Sequence, residues 1–94
     1  MDNRRNINIG DLITYNAGGM KNKTLGLVLD IVKTPDIGGG SYANILIQWC
    51  VVGKLMPRRG NNPKTPNVPW NFDNLNPGEL AWHSNKGKWF EVVQ

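Results

Sequence analysis

The stretch "NILIQWCVV", residues 44–52, decides how this chain is read. Ile45, Ile47 and Trp49 alternate with Asn44, Leu46 and Gln48. A period of two, carried by β-branched and aromatic residues, is the signature of a strand with one face inward. The neighbouring run "TLGLVLDIVKT", residues 24–34, reads the same way. It sets Leu25, Leu27, Leu29 and Ile31 on one face and Gly26, Val28, Asp30 and Val32 on the other. A glycine inside such a run marks a bulge or a sharp bend, so Gly26 is where this strand is expected to turn.

Outward from these two strands the pattern stays β. In "NINIGDLITYN", residues 6–16, Ile7 and Ile9 precede a turn at Gly10 and Asp11, and Leu12, Ile13 and Tyr15 follow it. Glycine supplies a positive φ there, and the Asp carboxylate bonds nearby amides. Near the C-terminus "ELAWHS" and "KWFEVVQ" form two short strands joined by "NKG", with Gly87 expected at a tight hairpin. Five strands result, over 7–16, 24–33, 42–52, 79–84 and 88–93. "NAGGMKNK" and "TPDIGGGS" link the first three. Apolar residues nowhere recur at helical spacing over a helix-length window.

The chain has 94 residues, a formal net charge of +4 and a single cysteine. That length makes one domain, residues 1–94, with a short N-terminal tail at 1–6. A chain of this size buries roughly 60–65% of its unfolded surface, so its core is small. Mean hydropathy is −0.42, and no run approaches the roughly 20 apolar residues of a membrane span. No apolar segment of the signal-peptide kind follows Arg4 and Arg5. Cys50 alone can form no internal disulfide, which fits a reducing compartment.

One segment breaks the compact pattern. Residues 53–78, "GKLMPRRGNNPKTPNVPWNFDNLNPG", hold five of the six prolines. Connections beyond about 12–15 residues without structure are usually functional or disordered. Leu55, Met56, Val68, Trp70, Phe72 and Leu75 are too apolar for a plain linker. Two readings stand side by side. The segment folds back over its own sheet with Trp70 and Phe72 plugging the core, or it is an arm that docks on a neighbour.

The chain is poor in reactive groups. His83 and Cys50 are its only imidazole and thiol, and Cys50 reads as a small buried thiol ending an apolar strand. The acids Asp2, Asp11, Asp30, Asp36, Asp73, Glu79 and Glu91 are scattered. No metal-ligand spacing and no phosphate-loop motif is present. No catalytic, cofactor or metal residue is therefore assigned, and no enzyme activity, cofactor or small-molecule substrate is expected. Aromatics are the richer signal. Adjacent Trp89 and Phe90 must point to opposite faces of their strand, so one fills the core and the other needs a cover.

The Gly-Asp pair Gly10 and Asp11, the alternation through Ile13, and the Gly26, Val28, Ile31 spacing resemble the opening strands of KOW/Tudor-like SH3-like barrels. "WFEVV" is similar to the last strand of such barrels. The resemblance covers residues 7–52 and 80–93 and implies an all-β, small five-stranded SH3-like barrel. Residues 53–78 then form a long Pro/Asn-rich insertion before the last two strands. The Asn- and Lys-rich loops also resemble small barrel proteins of tailed bacteriophages. That likeness implies a non-enzymatic assembly module, a capsid or tail component found in the virion or host cytoplasm. Its protein contacts would be Arg4, Arg5, Met56, Arg58, Arg59, Trp70 and Phe72. The KOW/Tudor-like resemblance implies the alternative of a nucleic-acid binder. There Lys21, Lys23, Arg58, Arg59, Lys86 and Lys88, helped by Arg4 and Arg5, would meet phosphates, and an exposed aromatic would stack on a base.

Overall fold

A computed structural model describes residues 7–16, 23–35, 37–53, 56–57, 59–60, 75–85 and 89–93. Five strands are present, β1 (Leu12–Tyr15), β2 (Leu25–Pro35), β3 (Ser41–Val51), β4 (Leu80–Ser84) and β5 (Phe90–Val92). Among the described residues there is no helix. The strands form one antiparallel sheet in the order β4-β3-β2-β1-β5. The predicted Gly87 hairpin falls outside the described residues.

The first strand is shorter than its sequence suggests because a turn consumes its opening residues. Gly10 has φ +94°, the Asp11 N–H donates to the Asn8 carbonyl at 3.1 Å, and the Asp11 carboxylate accepts the Asn8 N–H at 2.9 Å. The long hairpin of β2 and β3 turns through Gly39 and Gly40, both at positive φ. Ahead of β4 the sequence Asn76-Pro77-Gly78-Glu79 makes a type II turn. Proline presets its second position, Gly78 has φ +92°, and the Glu79 N–H donates to the Asn76 carbonyl at 3.0 Å.

The ladder is open, with β4 and β5 as its edges. A flat sheet would hold those edges four spacings apart, about 19 Å. Yet the rings of His83 on β4 and Phe90 on β5 lie 5.9 Å from centre to centre. The sheet is therefore coiled until its two edges face each other across one core. Gly26 is the pivot: a register shift lies between Leu25 and Gly26, as the glycine led one to expect. A Cβ at Gly26 would run into Ile47 Cγ2 and stand 3.0 Å from the Trp49 ring, so only glycine lets β2 bend this closely over β3.

The core consists of Ile13, Val28, Ile45, Ile47, Trp49, Leu75, Ala81, Phe90 and Val92. The inward face of β3 is the expected one. That of β2 is not. Gly26 and Val28 are buried and Leu27 is only half-buried, so the leucine face is the outer face. A second register shift, between Val28 and Asp30, then makes Leu29 a bulge and reverses the phase. Beyond it Ile31, opposite Ile45, packs against the core again. Cys50 also departs from expectation. Gly26 pairs with Trp49 and Leu25 with Val51, so Cys50 is the extra residue of the first bulge and is pushed to the surface.

Candidate contact surface

Cys50 and His83 do not meet. His83 is sealed in the core at 0% exposure, whereas the Cys50 thiol is exposed, with its Sγ 3.9 Å from the Gln48 carbonyl. The Trp49 indole N–H donates to His83 Nε2 at 3.0 Å. That nitrogen must be unprotonated to accept it, which places the ring proton of the neutral imidazole on Nδ1. Trp49, His83, Phe90 and Tyr15 form one cluster of tilted and edge-on rings. Imidazole in this chain thus serves packing and satisfies a buried indole. Among the described residues no three His, Cys, Asp or Glu side chains gather as metal ligands.

The long connection folds back wherever it is described. Met56 packs against the core, and its sulfur accepts the Gly53 N–H at 3.3 Å. Gly60 exchanges backbone hydrogen bonds with Trp82 at 3.0 and 3.3 Å, covering the free side of β4. Leu75 is buried at the other end of the connection. Between them the Arg59 guanidinium donates to Glu79 Oε2 at 2.6 Å, and Asn76 Nδ2 donates to Glu79 Oε1 at 2.7 Å. The Asn76 amide, and after it the Arg59 guanidinium, holds the Glu79 carboxyl below the usual range, against an opposing push from partial burial. Residues 59–60 and 75–79 are thereby tied to the same end of the sheet.

Of the expected contact residues, Met56 and Arg59 are therefore turned onto their own sheet. Lys23, from the phosphate-contacting set, is exposed. Arg4, Arg5, Lys21, Arg58, Trp70, Phe72, Lys86 and Lys88 lie outside the described residues. The adjacent aromatics resolve as the strand rule requires: Phe90 is buried and Trp89 is 52% exposed.

What the sequence reading missed is the outer face of the sheet. Directly opposed residues of a ladder share a face. One row runs Leu12, Leu27, Gln48, Leu80. It continues just past the end of β5 at Val93, whose N–H donates to the Leu12 carbonyl at 2.8 Å. The next row is Asp30, Leu46, Trp82 and the third is Val32, Asn44, Ser84. Leu80, Val93 and Val32 on this face are exposed at 54%, 51% and 36%. A signal for it exists in the sequence: Leu46 alternates with the core residues of β3 yet is as apolar as they are. Comparison with known proteins finds no family model, no curated protein and no solved structure that matches the chain.

Proposed function

We propose that this chain is a non-enzymatic assembly module that binds protein partners through the outer face of its sheet. The observation that carries this reading is the row Leu12, Leu27, Gln48, Leu80 and Val93 on the side away from the core, apolar everywhere but at β3. Leu80 and Val93, each more than half exposed on this face, are the kind of apolar surface that marks a contact site. Five antiparallel strands, a bend at Gly26 and edges opposed across one core support an SH3-like fold for the module. A phage virion is its most concrete setting, on the strength of the sequence resemblance.

The test is sedimentation velocity of the chain alone and mixed with candidate partner subunits. The double variant Leu80→Asp, Val93→Asp is expected to abolish association while leaving the unfolding curve unchanged. Association that persists in the double variant removes the outer face from the reading. A chain that remains monomeric alone and with its candidate partners counts against assembly itself.

Nucleic-acid binding is the second reading, favoured by exposed Trp89, which follows Lys86 and Lys88 in sequence, and by exposed Lys23. Arg59, engaged by Glu79, contributes less than its charge suggests. Fluorescence anisotropy with single-stranded RNA and DNA at two salt concentrations decides. Affinity that falls steeply with salt supports it, and no salt-sensitive binding removes it.

A further inference from the structure

Support for β2 becomes one-sided after Val28. β1 pairs with Gly26 and Leu27, and the next turn takes both backbone groups of Val28, through the Asp11 carbonyl at 3.0 Å and the Gly10 N–H at 2.8 Å. Residues 29–35 then have β3 on one side and, among the described residues, no strand on the other. A bare edge of this length is a template for any passing strand, whether from a second copy or from a misfolded chain.

The local chemistry works against such pairing at each step. Leu29 is a bulge, which bends the edge and breaks its regular spacing. The carboxylate of exposed Asp30 accepts the Ile31 N–H at 2.8 Å. Since a side chain holds that donor, it is turned away from β3. Backbone groups alternate sides along a strand, so the outward positions are Ile31, Lys33 and Pro35. The first has its N–H already occupied, and the third has none. Only Lys33 keeps a donor, and it stands beside a charged side chain.

We infer that the free edge of β2 is guarded against strand addition and that Asp30 is the residue that guards its centre. This concerns the backbone edge. Because the Asp30 side chain also stands in the second row of the outer face, protection of the Ile31 and Lys33 amides is the readout that separates edge pairing from association through that face. The guard also has a role for a module that must bind through one surface: it closes off the unspecific route to association.

The experiment compares Asp30→Val with Asp30→Asn by sedimentation velocity over a range of concentrations, each against the parent chain. Asparagine keeps an oxygen for the Ile31 N–H, and valine removes it. Asp30→Val is expected to raise the self-association constant about tenfold, the equivalent of one recovered hydrogen bond. Asp30→Asn should sediment like the parent, and association of Asp30→Val should slow exchange of the Ile31 and Lys33 amides. Should Asp30→Val lose its folded near-ultraviolet spectrum, Pro35→Val carries the same test, because it returns an N–H to the edge and leaves Asp30 in place. Unchanged association in the folded variants, or equal association of the valine and asparagine variants, overturns the inference.

Discussion

The two ends of the β2–β3 hairpin are built from similar residues and held by different means. Near Gly26 and Trp49 the hairpin has neighbours on both sides and a sealed aromatic core beneath it. Near Thr34 and Tyr42 it has its own ladder, the Asn44 to Thr34 side-chain bond at 2.8 Å, the Asn85 N–H donating to the Ala43 carbonyl at 2.8 Å, and a glycine-rich tip where Ile37 is fully exposed. The contrast shows where stability resides. Burial fixes the first end so tightly that a methyl group cannot be added. The second is held by hydrogen bonds, each of modest net value.

The difference can be broken most forcefully at Trp49. Trp49→Ala removes the largest core side chain and the partner of His83. It should cost about 4 kcal/mol, enough to unfold most of a domain this small in a urea titration. Gly26→Ala is the subtler attack on the same end. The added methyl collides with Ile47 and Trp49 and should cost about 2 kcal/mol, with a broadened or shifted near-ultraviolet signal. Moving outward, Thr34→Ala deletes the Asn44 bond and should lose about 1 kcal/mol. Ile37→Ser at the tip should stay within about 0.5 kcal/mol of the parent. A tip substitution as costly as Gly26→Ala would erase the distinction between the ends.

The smallest effect lies at the foot of the long connection. The folded Glu79 carboxyl titrates below its ordinary value of 4.5, so the unfolded chain binds its proton first as the pH drops. Stability contributed by Glu79 is thus fully present above pH 4.5 and is lost as the pH falls through the lowered folded value. Glu79→Gln should flatten that part of a stability-against-pH curve, losing the carboxylate's contribution at neutral pH and converging with the parent in acid.

The number of strands and their places along the chain were legible in the sequence, because alternation in residues 44–52 and the glycines at 10 and 26 are local signals. The inward face of β2 was not. The four residues Leu25, Leu27, Leu29 and Ile31 look like one apolar stripe, but a bulge at Leu29 changes the phase midway. Only pairing with β3 reveals it. Cys50 was misplaced for the same reason, since an extra residue opposite Gly26 turns it outward. The surface row was hidden by its composition. Leu12, Leu27 and Leu80 belong to three separate strands, and only the ladder sets them side by side. Arg59 and Glu79 are twenty positions apart in sequence, and no spacing rule links them before the connection folds back.

The bond from Trp49 to His83 gives the molecule an internal clock. The indole proton sits within the cluster, with both rings at 0% exposure, its donor on β3 and its acceptor on the neighbouring strand β4. Its acceptor rides on an edge strand, so release of β4 frees it. It can trade with deuterium only once β4 leaves β3, so one downfield resonance, followed over time, times the detachment of that strand.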